Sequence, residues 1–160
     1  LLVDAARRGV DVRILTAGRH TDVQLTRLAG RASYEELLRG GVRIYEYEPT
    51  MIHSKTLVAD GLWATVGTMN FDNRSAALNE ESNLVILDPA LGARMDSIFF
   101  EDLARSTELR LPTFSRRPWY RKVQERAATL FGAELGLGAT GVAGPAEQDG
   151  KPVGTPPSVN

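Results

Sequence analysis

Cysteine is absent from the 160-residue chain, which excludes disulfide frameworks, thiolate metal sites and cysteine nucleophiles. Histidine is scarce: His20 and His53 alone, too few for a multi-histidine metal centre. No uninterrupted apolar run of roughly eighteen residues occurs, so no stretch reads as a membrane-spanning helix. Lysine is rare too, 3 against 16 arginines. Guanidinium suits firm, bidentate contacts to oxyanions, although arginine usage also follows genome base composition. The formal charge is −1, from 19 basic and 20 acidic side chains, and points to no partner by itself. What remains is an ordinary globular composition, 42% hydrophobic and 24% charged. It is enough for one domain with a core and too short for two.

Helix and strand signals alternate along the chain. Residues 1–8 read as the end of an amphipathic helix already under way, with Gly9 as its stop, so a fragment of a longer protein is expected. Strands are expected at 10–15, 42–47, 52–59, 62–67 and 83–87, with Asp60-Gly61 as the hairpin turn between the third and fourth. Residues 22–39 read as helix, closed by Gly40-Gly41. Asp88-Pro89 is a helix start, Asp as N-cap and Pro at the first helical position. The helix that follows sets Leu91, Met95, Ile98, Phe99 and Leu103 on one face.

After Leu111 the composition changes. Arg110, Arg116, Arg117, Arg121, Lys122 and Arg126 face a single acid, Glu125, and Trp119, Val123, Ala127 and Leu130 share one helical face. Two readings of this basic stretch stay open: a helix lying on an anionic bilayer, or a packing helix with a solvated basic side. Residues 133–160 hold 10 Gly or Pro and no aromatic, a composition that predicts a disordered tail.

The chemistry concentrates in His53-Ser54-Lys55 and in Gly67-Thr68-Met69-Asn70. On an extended segment, residues two apart point the same way, so His53 and Lys55 emerge together. An imidazole that attacks or protonates, beside an ammonium that holds an oxyanion, is a phosphate-handling pair. The Gly67 turn brings Asn70 back toward the strand ends, where its amide can donate to a further phosphate oxygen. Asp60 points to the opposite face and is better placed to fix the hairpin than to touch substrate. Each of these features alone is commonplace. A histidine on a strand is usually a satisfied surface or core residue, and Asp-Gly is usually just a turn.

The ordered combination, H-x-K-x4-D-G followed by G-T-x-N-x-D-x-R-S, resembles the HKD motif of the phospholipase D superfamily. Asn79-Glu80-Glu81-Ser82-Asn83 resembles that family's N-x-E-x-N lead-in. The flanks Gly9–Leu15, Gly41–Tyr47 and Phe99–Ser106 are similar to the bacterial cardiolipin synthase branch. The resemblance covers about residues 1–110 and looks like a C-terminal motif half. It implies paired histidines, one forming a phosphohistidine and one protonating the leaving alcohol; His53 matches one of the two. Lys55 and Asn70 match the phosphate-holding side chains, together with His53. Glu81 matches the carboxylate on the far nitrogen of the histidine, with Glu80 as its rival, and Asp60 matches the structural acid of the motif. Thr68 stands where serine is commoner, and Ser82 where an apolar residue is. His20-Thr21-Asp22 is no second motif, because no lysine follows at the right step; His20 is a loop residue or a substrate-side contact.

The resulting expectation is an α/β fold, a mixed sheet flanked by helices, over residues 1–111. A basic amphipathic segment at 112–132 and the tail at 133–160 follow. The resemblance implies phosphatidyl transfer on an anionic phospholipid, with no cofactor or metal. It also implies a peripheral place on the cytoplasmic face of the membrane and a missing N-terminal half or homodimer mate to complete the site. Nucleic acid is not expected as partner. A nuclease-type homodimer and a non-catalytic phosphate- or membrane-binding fragment are the alternatives.

Overall fold

The structure, a computed structural model, describes residues 1–21, 24–70 and 80–130 in full, and the backbone of 140–145, 147–148 and 151–152. The elements are α1 (Leu2–Arg7), β1 (Val10–Ala17), α2 (Gln24–Arg39), β2 (Arg43–Tyr47), β3 (Thr56–Ala59), β4 (Trp63–Gly67), β5 (Asn83–Leu87), α3 (Pro89–Leu103), β6 (Ser106–Leu109), α4 (Leu111–Ser115), α5 (Trp119–Leu130) and β7 (Thr140–Pro145). A two-residue pair, β8 (Glu147–Gln148) and β9 (Lys151–Pro152), stands apart.

The main sheet has the order β5-β4-β3-β7-β1-β2-β6. It is mixed, as expected: β1 runs parallel to β2 and β3 parallel to β7, and the other neighbours are antiparallel. The β1–α2–β2 unit is a parallel crossover, so α2 returns antiparallel to β1. Alternation along the strands splits the core between two faces. Val12, Ile14, Val42 and Ile44 meet Tyr34 of α2 and Phe114 of α4 on one side. Leu15, Tyr45, Tyr47, Val58 and Ala64 meet Phe99 of α3 on the other.

The helix start at Asp88-Pro89 forms as the sequence indicates: Asp88 Oδ1 accepts from the Leu91 amide at 2.7 Å, satisfying one free N–H of the first turn. The Asp60-Gly61 turn takes positive φ at both residues, 54° and 61°, inside a three-residue connection that joins the paired Ala59 and Trp63, and the Leu62 amide closes it on the Ala59 carbonyl at 3.1 Å. Gly92 of α3 approaches that turn so closely that a Cβ there would collide with the Gly61 carbonyl. Helix and hairpin are thereby held together through backbone.

Five features depart from the expectations or add to them. The third strand begins at Thr56 rather than 52, so His53 and Lys55 precede it. Polar Ser106–Leu109 is a strand because it pairs with β2. Ile98, expected on the buried face of α3, is exposed, while Phe99 is fully buried. The described residues of the expected 112–132 segment form two helices, α4 and α5, broken around Pro118. Of the 133–160 tail, Thr140–Pro145 lies between β1 and β3 as a strand that composition does not foresee; most of the remainder is outside the described residues. Among the described residues no helix is long and apolar enough to cross a membrane.

Candidate active site

His53 and Lys55 sit in the extended lead-in to β3. The Lys55 carbonyl accepts from the Gly67 amide at 3.1 Å, which carries the β3–β4 pairing one step beyond the strand. The two side chains lie together: Lys55 Nζ is 2.8 Å from His53 Nε2 and donates to the His53 carbonyl at 2.9 Å. An ammonium has only donors, so Nε2 accepts and the ring proton resides on Nδ1. The Nε2 lone pair is thus engaged by the Lys55 ammonium, and the pair is open to solvent because His53 is exposed.

The β3–β4 register brings the Gly67 turn to this end of the sheet. Thr68 fastens the turn to the chain entering β5. Its amide donates to the Ser82 carbonyl at 3.0 Å, its hydroxyl accepts from the Ser82 amide at 3.0 Å, and the same hydroxyl donates to Glu81 Oε2 at 2.6 Å. Thr68 reads in the sequence only as a conservative departure from serine. Its link to Glu81 is a contact between distant segments that spacing does not reveal. Asn70 is half-buried just past this turn, and Glu80 is exposed.

Residues 22–23 and 71–79, with the D-x-R-S end of the motif and Asn79, lie outside the described residues. His20 follows β1, exposed, at the same end of the sheet as His53, since β3 runs antiparallel to β1 across β7. Asp60 is at the opposite end of β3, in the hairpin turn. It faces Asp96 of α3, whose carboxyl is held above its ordinary value first by burial and then by the Asp60 charge. The structure thus brings His53 and Lys55 into contact, sets Thr68, Asn70 and Glu81 at the same end, and leaves Asp60 remote from them.

The family model described as "Cardiolipin synthase, PLD-like domain" matches residues 1–103. The chain belongs to that family. Relatives include proteins named cardiolipin synthase A from Yersinia pseudotuberculosis serotype O:1b (strain IP 31758) and Yersinia pestis bv. Antiqua (strain Angola). Each is 42% identical over 127 residues, covering 79% of this chain and 26% of the relative. The chain therefore spans about a quarter of the length of these curated relatives. No solved structure matches.

Proposed function

We propose that the chain is one catalytic half of a phosphatidyltransferase of the phospholipase D type, forming cardiolipin from phosphatidylglycerol. The observation that carries this reading is the Lys55–His53 contact at 2.8 Å, in a motif matched by the family, at an open end of the sheet. Substrate phosphate draws the Lys55 ammonium off Nε2, and the lone pair so released can attack a phosphodiester phosphorus or take a proton from an alcohol in its field. Lys55 and Asn70 then hold the non-bridging oxygens as negative charge grows on them.

The reaction needs two imidazoles, His53 and one from a second motif half, supplied by the same chain or by a homodimer mate. One forms a nitrogen–phosphorus bond as the bond from phosphorus to the headgroup glycerol oxygen breaks; the other gives that oxygen its proton. A hydroxyl of a second phosphatidylglycerol then returns a proton to the second imidazole and displaces the phosphohistidine nitrogen. Glu81, steadied by Thr68, accepts from the Nδ1–H side of an imidazole in this pair and holds its tautomer. Asp60 serves the hairpin on which the motif rests. The exposed apolar side chains of edge strand β5, Leu84, Val85 and Leu87, support a covering second half. A bilayer substrate supports peripheral association with the cytoplasmic face of the membrane.

The test is product analysis with phosphatidylglycerol labelled in its headgroup glycerol, using the two-motif enzyme. Cardiolipin and free glycerol in equal amounts are expected. Cleavage of oligonucleotides without lipid turnover would contradict the proposal and favour the nuclease reading.

A further inference from the structure

Helix α5 is packed inside out. Its protein-facing side carries Glu125, 2% exposed, with Ala128. Glu125 accepts from Arg117 at 2.8 and 2.9 Å and from Arg31 of α2 at 3.4 Å. Arg117 also donates to Glu35 at 2.9 Å, and the Arg117 and Arg31 guanidiniums lie over the Phe114 ring, 4.0 and 5.0 Å from its centroid. The apolar side faces outward: Trp119 is 77% exposed, Val123 56% and Leu130 81%, with Tyr120 beside them. At about 3.6 residues per turn these side chains and Ala127 fall within about 100° of arc. An amphipathic helix that meets its own protein through charge has its apolar stripe left for something else.

We infer that this outward face of α5 is the surface by which the protein docks on an anionic lipid bilayer. The inference rests on the phosphatidyl-transfer reading and adds to it the place of contact. Charge complementarity selects the occupant. Arg116, just before the helix, and Arg126, about 20° from Trp119 around the helix axis, are exposed at the edge of the stripe, Arg121 is exposed on the far side of Tyr120, and among the described residues no carboxylate pairs with any of them. Arg121 lies over the ring of Tyr120, 6.0 Å from its centroid. Aromatic rings with arginines at their margin match the headgroup level of an anionic leaflet, where each basic side chain adds to binding.

The direction of the helix fits as well. Arg117 pairs with Glu35 and Glu125 with Arg31, so α5 runs antiparallel to α2 and parallel to β1. Its C-terminal end therefore points to the same end of the sheet as His53. A bilayer along α5 therefore runs parallel to β1 and reaches the end of the sheet that carries His53.

The experiment is flotation of the 160-residue chain with vesicles of equal phosphatidylglycerol and phosphatidylcholine, and with vesicles of phosphatidylcholine alone. The parent chain should float with the anionic vesicles and bind the neutral ones far more weakly. Trp119→Ser/Val123→Ser/Leu130→Ser should weaken anionic-vesicle binding at least tenfold, with unchanged circular dichroism because the three side chains are exposed. Arg116→Gln/Arg121→Gln/Arg126→Gln should cost about a hundredfold and abolish the preference for phosphatidylglycerol. Undiminished flotation of the serine variant would overturn the inference while leaving phosphatidyl transfer standing. Equal binding to both vesicle types would overturn it too. So would a concentration-dependent dimer that the serine variant disrupts, since the face would then belong to a protein.

Discussion

In the proposed reaction His53 and Lys55 act on one phosphoryl group from positions two apart, and the consequences of removing either differ. Lys55→Ala and Asn70→Ala each delete one donor to developing charge, so the turnover rate of the two-motif enzyme should fall by roughly 10²–10³, the scale of a single oxyanion contact. Steady-state kinetics with phosphatidylglycerol checks this; a change confined to KM would show that these groups bind the ground state alone. Glu81 and Glu80 separate by orientation: Glu81 accepts the Thr68 hydroxyl, whereas Glu80 is exposed. Glu81→Gln should lower kcat sharply with KM little changed, and Glu80→Gln should be mild. Thr68→Val removes the hydroxyl that steadies Glu81 and should lower kcat roughly tenfold, with Thr68→Ser restoring it. If Glu80→Gln is the crippled variant, the orienting role belongs one position earlier. The His53–Lys55 pairing and the Asp60-Gly61 turn were legible from residue type and spacing. The Thr68–Glu81 bond was not, because it joins segments thirteen positions apart through a loop whose path no local signal dictates.

The elements differ in how openly the sequence declares them. α3 begins at a cap, Asp88, whose preference is local, and β5 spans Asn83–Leu87, a short apolar run stopped by Asp88-Pro89. β6 is a strand only by virtue of its partner β2, and Ser106-Thr107-Glu108-Leu109 carries no strand signal of its own. The orientation of α5 is the sharpest case. Its apolar stripe is plain in the sequence, and the packing-helix reading would turn that stripe inward. Buried ion pairs to Arg31 and Arg117 turn Glu125 inward instead, and such long-range pairing has no sequence period. Deleting one member of a buried pair leaves uncompensated charge and typically costs about 3–5 kcal/mol. Glu125→Ala should therefore release α5 locally. Its amides should exchange with solvent much faster while those of β1 and β2 keep their protection. Unchanged exchange in α5 would show that the network does not hold the helix.

Acid–base balance acts on the molecule as a whole, with two carboxyls pulling in opposite directions. Glu35 is held below its ordinary 4.5, first by the hydrogen bond from Arg117. Its contribution to stability is complete above that value and is lost as pH falls through the lowered one. Asp96 is raised above its ordinary 3.8 by burial and by Asp60, and its Oδ1 is buried without a hydrogen-bond partner among the described residues. Its ionised form therefore destabilises the fold at neutral pH, and acidification through its raised value relieves that strain. Asp96→Asn should raise the melting temperature at pH 7, and the gap from the parent should close as pH is lowered toward 4. A gap that is absent at pH 7, or that widens in acid, would contradict this assignment.

At the same scale stands the central claim, that this domain supplies one of two imidazoles for phosphatidyl transfer. Its most direct test is the rate of cardiolipin formation by the two-motif enzyme carrying His53→Ala, with folding checked by circular dichroism. No other side chain at this end of the sheet couples an exposed imidazole to Lys55, so turnover should fall by about 10³-fold or more. Cardiolipin formed at near the parental rate by the folded variant would contradict the account.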